Sequence, residues 1–330
     1  MSSAKPKGIR DKYIGKLTMK EPYGKTKLLS KQARGIIDLV RPFTLVPPFI
    51  VSMSIIVASM IYNKAHMPEN WLFIAGNASL TVAMVNAASN SLNQATDVKA
   101  DKISKSYRPI PRGIIRVDGA QSLAYILYLF ALLRAVTLNV WFGIFIFLIM
   151  IFTVTYSLPP RMKQYLFINQ VWIAIPRGLL GILAAWSVFG DPLTPTPLVI
   201  GSIATVYLIG GMATKDIIDS VADKKTGTHT LINTYGIKKT ALICFPFMLF
   251  PFIFIYIFIN AGILEPYLWP LIFLSFLSCL IFVLMIKKTK SKKLENVHAW
   301  SIMYIEYIFF ALGFAILTIY GGISKIQTFF

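Results

Sequence analysis

Two groups of acidic residues in this sequence have the spacing of one helix face. The first group lies in the stretch NQATDVKAD, with intervals of four residues, and the second in TKDIIDSVADKKTG, with intervals of three and four. Residues three, four and seven apart lie on the same side of an α-helix. The chain has only 14 Asp and Glu among 330 residues, so two such groups need a chemical explanation. The first group consists of Asp97 and Asp101 together with the neutral Asn93 one turn earlier, and the second consists of Asp216, Asp219 and Asp223.

Each acidic group follows a long apolar stretch, where bare carboxylates are unfavourable. Like charges four residues apart repel each other, and carboxylates at the end of a helix meet the negative end of its dipole. A bound divalent cation reverses that balance. Mg²⁺ takes oxygen ligands and is usually held by one or two carboxylates together with substrate phosphates. The two groups therefore predict Mg²⁺ bound between carboxylates and a diphosphate; solvated loop charges paired with lysines are the alternative.

Basic residues flank both acidic groups. Arginine binds phosphate oxygens through two parallel hydrogen bonds, and lysine acts as a compact point charge. Carboxylates for a metal and cations for phosphate, beside apolar helices, indicate a substrate with a long hydrocarbon chain and a diphosphate head. The cations predicted to bind the diphosphate next to these groups are Lys102, Arg108, Lys215 and Lys224.

The composition predicts that these groups lie at the ends of membrane-spanning helices. The chain is 56% hydrophobic, and its mean hydropathy is +0.64. Nine apolar stretches are each about long enough to cross a hydrocarbon core of about 30 Å at 1.5 Å per residue. We expect an all-α polytopic membrane protein rather than a soluble one. The predicted spans are 43–63, 72–93, 120–138, 139–156, 166–189, 197–214, 240–262, 268–286 and 299–321.

The distribution of Lys and Arg predicts the orientation. Twenty-nine of them lie before the first span or after even-numbered spans, and two lie in the opposite loops and tail. Because cytoplasmic loops carry an excess of cations, we expect a cytoplasmic N-terminus and a C-terminus outside the cell membrane. The predicted parts are a basic arm with an interfacial helix at 1–42, a nine-helix domain at 43–322 and an outer tail at 323–330. The arm should contact anionic lipid and not nucleic acid.

Three segments resemble a known family, the UbiA superfamily of intramembrane prenyltransferases. NQATDVKAD followed by KISKSYRPIPRG is similar to the first aspartate signature of that family, and KDIIDSVADKKTG is similar to the second. YSLPPRMKQ resembles the segment after the fourth helix, and the similarity extends from Arg41 to the ninth span. The resemblance implies nine helices around a central cavity, capped by two Asp-bearing loops. It also implies transfer of a prenyl group from an isoprenyl diphosphate to a lipophilic acceptor, with two Mg²⁺ ions.

The resemblance, together with position, implies a role for each candidate residue. Tyr156 is expected to contact the diphosphate or to position the reacting carbon, although an interfacial tyrosine is the alternative. The expected metal ligands, direct or through water, are Asn93, Asp97, Asp101, Asp216, Asp219 and Asp223. The expected diphosphate-binding residues are Asn93, Lys102, Arg108, Lys163, Lys215 and Lys224.

Two ionisable residues lie inside predicted spans. Arg177 is in the fifth span and Glu306 in the ninth, at similar depths from the cytoplasmic side. Charged groups within a membrane are costly and are usually paired or functional. We expect both residues to face the cavity, either as a mutual ion pair or as contacts to the acceptor.

Residues around the first signature bear on the identity of the acceptor. The first signature looks most like those of digeranylgeranylglyceryl phosphate synthases and chlorophyll synthases, but Ser104, Ser106 and Arg112 depart from their pattern. We expect a C20 donor and a lipid acceptor, with geranylgeranylglyceryl phosphate as a candidate. Aromatic or tetrapyrrole acceptors, as in 4-hydroxybenzoate, quinone or chlorophyll pathways, stay open. A CDP-alcohol phosphotransferase would need an Asp-Gly-x2-Ala-Arg string, which is absent, and a secondary transporter would place its acids near the membrane midplane.

Overall fold

The computed structural model describes residues 30–63, 67–287 and 297–327. Most of the predicted basic arm, residues 1–29, lies outside the described residues, as do 64–66, 288–296 and 328–330. Within the described ranges every regular element is a helix, which confirms the all-α prediction.

The first acidic group lies where two helices join. Helix α1 (Lys31–Val40) covers the predicted interfacial helix, and α2 (Val46–Tyr62) is the first apolar helix. Helix α3 (Trp71–Thr96) then leads through Asp97 into the short α4 (Val98–Ser104). The first acidic group therefore begins in the last turns of α3 and ends in α4.

The remaining helices follow in chain order. They are α5 (Val117–Leu138), α6 (Val140–Ser157), α7 (Ile168–Arg177), α8 (Leu179–Trp186), α9 (Pro195–Gly211), α10 (Ala213–Thr226), α11 (Leu231–Asn260), α12 (Ser275–Lys287) and α13 (Val297–Gln327). 3₁₀ helices occupy Pro42–Thr44, Met162–Gln164 and Pro266–Leu274. The last helix takes in residues 323–327 of the predicted outer tail.

Helix length and composition agree with a multi-pass membrane protein. The described residues contain eight helical spans long and apolar enough to cross a membrane, and up to nine if a bent pair counts as one. That pair is Lys31–Thr44 with Val46–Tyr62, bent by 48°. Each of the nine predicted apolar stretches overlaps a helical segment of the structure.

One predicted span is broken in the middle. Helix α7 ends at Arg177 and α8 begins at Leu179, with Gly178 between them at φ −81° and ψ −88°. The Leu179 amide donates to Thr205 Oγ1 on α9 at 2.7 Å. A Cβ on Gly178 would lie 2.4 Å from Thr205 Oγ1 and 2.6 Å from its backbone nitrogen. The break is therefore fixed by the close approach of α9, which only glycine permits.

The core consists of apolar side chains between the helices. Trp186, Phe142, Phe252 and Phe314 are fully buried, and buried alanines of α3 allow close approach of its neighbour α5, as small residues do in membrane bundles. Helix α2 packs on α13, and α9 on α11. Together these contacts hold the helices that surround the acidic groups.

Candidate active site

Both acidic groups line one cavity of about 630 Å³. The cavity is bounded by residues from α3, α4, α6, α7, α10 and α13, and by the segment that joins α1 to α2. More than 100 residues separate the two groups along the chain, so the fold brings them together. The predicted site residues that line it are Asn93, Asp97, Asp101, Arg108, Tyr156, Lys163, Arg177, Lys215, Asp216, Asp219 and Asp223.

Asp97 ends α3 and pairs with two cations from the segment between α6 and α7. Its amide donates to the Asn93 carbonyl at 3.0 Å. Arg161 Nη2 lies 2.8 Å from Asp97 Oδ1, and Lys163 Nζ contacts the same oxygen. Burial lowers the pKa of the Lys163 ammonium, and the Asp97 carboxylate opposes that shift. Asp97 therefore holds two cations on the wall of the cavity.

Asp101 lies one turn further, in α4, and is buried. Arg108 Nη1 donates to its two carboxylate oxygens at 2.8 and 2.6 Å. Burial raises the pKa of the Asp101 carboxyl, while the charge of Arg108 acts in the opposite direction. This pair fixes the turn after α4 and leaves a guanidinium on the cavity wall.

Tyr156 connects three helices beside the second acidic group. Its hydroxyl donates to Asn169 Oδ1 on α7 at 2.9 Å and accepts from Lys215 Nζ on α10 at 3.3 Å. Lys215 Nζ also lies 2.7 Å from Asp216, whose other oxygen accepts from Asn169 Nδ2 at 3.3 Å. The ammonium groups of Lys163 and Lys215 lie 5.8 and 5.9 Å from the Tyr156 ring centroid, within cation–π range. Tyr156 thus faces the cavity instead of the membrane interface.

Two residues at the end of α4 link the two acidic groups through their contacts to α10. Lys105 Nζ lies 2.6 Å from the Asp219 carboxylate, and Ser104 Oγ donates to it at 3.3 Å. Burial lowers the pKa of the Lys105 ammonium, and Asp219 opposes that shift. Asp223, about one turn further along α10, lines the same cavity. Within the described part of the chain its carboxylate has neither a hydrogen bond nor an ion pair.

The oxygen atoms of the site suit Mg²⁺, which also binds substrate and water, better than a metal held by protein ligands alone. No three His, Cys, Asp or Glu side chains of the described residues converge on a single metal position. The available ligands are carboxylate and amide oxygens, and four of the five carboxylates already face a Lys or Arg. Mg²⁺ typically uses one or two carboxylates and completes its shell with substrate phosphates and water. The residues present fit that pattern.

The structure corrects the placement of two predicted cations. Lys102 and Lys224 are exposed and do not line the cavity; Lys224 borders a separate shallow surface pocket instead. Each follows directly after an acidic residue of its group. One step along a helix rotates a side chain by about 100°, and in these two cases the rotation turns the lysine away from the cavity.

The predicted ion pair between Arg177 and Glu306 is wrong. Glu306 is fully buried away from the cavity, where its carboxyl oxygens are bonded to the hydroxyls of Tyr207 at 3.1 Å and Ser278 at 2.7 Å. Arg177 lines the cavity and bonds to Asn86 and Tyr304. Similar depth in the membrane does not fix the rotation of a helix, and α13 turns Glu306 towards α9 and α12.

Three further site residues were not predicted as such. Lys105 could have been found from the sequence, because it lies four residues after Asp101 and so on the same helical face. Arg161 lies within YSLPPRMKQ, two residues before Lys163. Asn169 gives no sequence signal beyond polarity at the start of an apolar stretch. Its role as a bridge between Tyr156 and Asp216 depends on how three helices meet.

Comparison with known proteins places these observations in a family. The model of the UbiA prenyltransferase family matches residues 51–311, which is most of the chain. The chain is 29% identical over 210 residues to a digeranylgeranylglyceryl phosphate synthase of Methanosphaera stadtmanae, covering 63% of this chain and 71% of that protein. It is 26% identical over 297 residues to the chloroplastic 2-acyl-4-prenylphloroglucinol 6-prenyltransferase of Humulus lupulus, covering 82% and 70%.

A solved structure shares the fold. The structure of a UbiA homolog from Archaeoglobus fulgidus bound to GPP and Mg²⁺ superposes with a TM-score of 0.67. The match covers 85% of this chain and 99% of that chain, at 20% sequence identity. At this identity the likeness shows the fold alone.

Proposed function

The chain belongs to the UbiA prenyltransferase family, and we propose that this membrane-bound prenyltransferase moves a geranylgeranyl group from its diphosphate to a lipid acceptor, geranylgeranylglyceryl phosphate. The observation that carries the proposal is the pair of facing acidic helices, α4 and α10, with cations between them at one cavity. The acceptor is proposed from the likeness to digeranylgeranylglyceryl phosphate synthases. The C20 chain length of the donor is proposed from the same relatives.

The metal is proposed from the donor atoms of the site. Asn93, Asp97 and Asp101 would hold one Mg²⁺ ion, and the second acidic group, Asp216, Asp219 and Asp223, would hold another, directly or through water. When bound, Mg²⁺ supplies positive charge that stabilises the departing diphosphate. The Archaeoglobus homologue, whose structure contains GPP and Mg²⁺, supports this assignment.

The cations of the site are suited to binding the diphosphate of the donor. Lys105, Arg108, Arg161, Lys163 and Lys215 each face a carboxylate and each line the cavity. Their N–H groups can turn to the phosphate oxygens of the donor. As the bond between the allylic carbon and the diphosphate oxygen breaks, negative charge grows on those oxygens. Preorganised cations beside that position stabilise the transition state.

Bond formation follows at the allylic carbon. The hydroxyl oxygen of the acceptor forms a bond to this carbon, diphosphate departs with the bonding electrons, and the hydroxyl proton passes to the departing diphosphate. Tyr156, which is held by Asn169 and Lys215, is placed to orient the reacting carbon. The apolar part of the cavity wall, including Ile149, Phe152 and Ile173, excludes water from the cation-like carbon.

The orientation belongs to the same proposal. The excess of Lys and Arg in the N-terminal arm and after even-numbered spans, twenty-nine against two, supports a cytoplasmic location for α4 and α10. A donor diphosphate would then enter from the cytoplasm.

An aromatic acceptor is the second candidate. The plant relative is named as a prenyltransferase of an acylphloroglucinol, an aromatic compound. Trp172 and Trp300 line the cavity of this chain and could stack on an aromatic ring.

The proposed function is tested by product formation. Purified protein is incubated with labelled geranylgeranyl diphosphate, Mg²⁺ and a panel of lipid and aromatic acceptors, and products are identified by mass spectrometry. We expect product on geranylgeranylglyceryl phosphate, and none when EDTA replaces Mg²⁺. Product on aromatic acceptors alone would favour the second candidate, and no product with any donor or acceptor would reject both.

Variants test the metal assignment in the same assay. Asp97→Asn and Asp219→Asn should each lower kcat by about 10²–10³-fold, as expected when stabilisation of a developing charge is lost. Asp118→Asn is the matched control, because Asp118 pairs with Arg116 at an exposed surface position. Full activity of either site variant would reject the assignment.

A further inference from the structure

A second polar cluster lies in the cavity, away from the acidic groups. It consists of Asn86 on α3, Arg177 at the end of α7, and Tyr304 on α13. All three line the cavity. Asn86 precedes Asn93 by seven residues on the same helix, which is about 10 Å along its axis at 1.5 Å per residue. The cluster therefore faces the cavity about two helical turns from the acidic groups.

The backbone at Arg177 is held by two neighbouring helices. Tyr307 on α13 donates to the Arg177 carbonyl at 2.7 Å, which satisfies a carbonyl freed where α7 ends. On the other side of Gly178, the Leu179 amide donates to Thr205. Non-helical backbone at membrane depth is tolerated where it is buried in protein or lines a cavity. The broken helix thus holds Arg177 in a fixed position on the cavity wall.

The side chain of Arg177 is oriented by neutral partners. Asn86 Nδ2 donates to the Thr44 carbonyl at 2.9 Å, so its Oδ1 is left to accept from Arg177 Nη2 at 3.1 Å. Arg177 Nη1 donates to the Tyr304 hydroxyl at 3.4 Å. Among the described residues these contacts use two of the five guanidinium N–H donors, and no carboxylate forms an ion pair with Arg177.

A guanidinium without an anionic partner is costly in a largely apolar cavity. Arg177 is partly buried, and charges within membranes are normally paired or functional. An oxyanion in the cavity would supply the missing charge, and the planar guanidinium matches its geometry. We propose that Arg177, Asn86 and Tyr304 form a subsite for the oxyanionic head group of the acceptor. This proposal rests on the proposed function.

The position of the cluster assigns it to the acceptor and not to the donor. The five cations beside the acidic groups, which include Lys105 and Lys163, are assigned to the donor diphosphate. A separation of about 10 Å, seven residues at 1.5 Å each, leaves room between the two levels for the allylic carbon and the attacking hydroxyl. An acceptor anchored at Arg177 would thus present its hydroxyl towards the donor.

The test compares acceptors that differ only in charge. Geranylgeranylglyceryl phosphate and uncharged geranylgeranylglycerol are offered to the wild-type protein and to Arg177→Gln, Arg177→Lys and Arg134→Gln. Arg134 is the matched control, since it also lies in a membrane helix but is bonded to Asn77 and Thr81 outside the cavity. The readout is the ratio of kcat/KM for the phosphate acceptor to kcat/KM for the alcohol.

We expect Arg177→Gln to lower this ratio by about tenfold or more, because a charge-assisted contact to phosphate is lost. Arg177→Lys should retain part of the preference, and Arg134→Gln should match the wild type. Equal losses on both acceptors, or a loss that falls on the KM of the donor, would overturn the proposal.

A direct measurement of acceptor binding tests the subsite independently of the proposed function. The Kd of geranylgeranylglyceryl phosphate is measured without donor, and we expect it to rise by about tenfold in Arg177→Gln. If the wild type forms no product, the proposed function fails while this binding test still decides the subsite. If the wild type forms product and neither the ratio nor the Kd changes in Arg177→Gln, only the subsite fails.

Discussion

Lys105 Nζ lies 2.6 Å from the carboxylate of Asp219, which is 114 residues further along the chain. This ion pair joins the turn after α4 to α10, so Lys105 links the two acidic groups. Lys105 also lies one helical turn after Asp101. Lys105 therefore places a positive charge beside the first acidic group, and its ammonium can bind a diphosphate.

Replacing Lys105 should weaken the use of the donor. We expect Lys105→Met to lower kcat/KM for the prenyl diphosphate by about 10–100-fold, because a charge-assisted contact to phosphate is lost. Lys99→Met is the matched control, since Lys99 is an exposed lysine of α4, the helix that directly precedes Lys105. The measurement is the rate of diphosphate release at varied donor concentration. Equal effects in both variants would show that only the net charge of this region matters, and not the position of Lys105 in the site.

Some features of the fold and the site follow from periodicity within one segment. The length of each apolar stretch predicts a span, and each of the nine stretches overlaps a helical segment. Intervals of three and four residues place Asp216, Asp219 and Asp223 on one face, and all three line the cavity. These properties depend on one helix at a time, which is why the sequence alone can predict them.

Other features depend on how neighbouring helices rotate against each other. Lys102 and Lys224 are adjacent to site residues in sequence but face away from the cavity. Glu306 has the depth of Arg177 but bonds to Tyr207 and Ser278. No local pattern encodes these rotations, because they result from packing among several helices.

Ligand binding should stabilise the protein only when metal and diphosphate are present together. Four carboxylates, including Asp97 and Asp219, already face Lys or Arg, so Mg²⁺ alone must displace those cations. A diphosphate accepts the displaced cations as Mg²⁺ binds. We expect Mg²⁺ alone to leave the Tm nearly unchanged. Mg²⁺ with a prenyl diphosphate at 100 times its Kd should add about 2.7 kcal/mol of stability.

Thermal unfolding of the detergent-solubilised protein measures this effect. Asp219→Asn should lose most of the stabilisation by Mg²⁺ and diphosphate, while the surface variant Asp118→Asn should keep it. A full Tm shift with Mg²⁺ alone would instead indicate a metal site built from protein ligands only.

Glu306 should contribute to stability and not directly to catalysis. Its carboxyl is bonded to Tyr207 and Ser278 and lies outside the cavity. We expect Glu306→Ala to lower the free energy of unfolding by about 1–3 kcal/mol, because two buried hydrogen bonds are lost at about 0.5–1.5 kcal/mol each. Tyr207 and Ser278 then keep their bonds to the carbonyls of Met303 and Met248. Glu306→Gln keeps a hydrogen-bonding group of the same size and should cost less.

A double-mutant cycle with Tyr207→Phe measures the coupling between the two side chains. Each variant is assayed for Tm and for kcat/KM. A large loss of kcat/KM in Glu306→Gln at unchanged Tm would contradict the structural role and place Glu306 in the reaction.

Gly178 should be the least replaceable glycine of the broken helix. A Cβ at this position would lie 2.6 Å from the backbone nitrogen of Thr205, and backbone cannot move aside as the end of a side chain can. We expect Gly178→Ala to lower the free energy of unfolding by about 1–3 kcal/mol, the usual cost of overpacking. Arg177 should also shift, because its carbonyl and the Leu179 amide are held on either side of this residue.

Gly76→Ala is the matched control for this prediction. Gly76 lies within α3, and a Cβ there meets nothing within 4 Å; alanine also has the higher helix propensity. We therefore expect Gly76→Ala to leave the Tm unchanged or to raise it slightly, while Gly178→Ala lowers both the Tm and the kcat/KM for the acceptor. If Gly178→Ala keeps the wild-type Tm and kcat/KM, then α7 and α8 can join without a fixed break. Arg177 would in that case be held in the cavity by its side-chain contacts to Asn86 and Tyr304 alone.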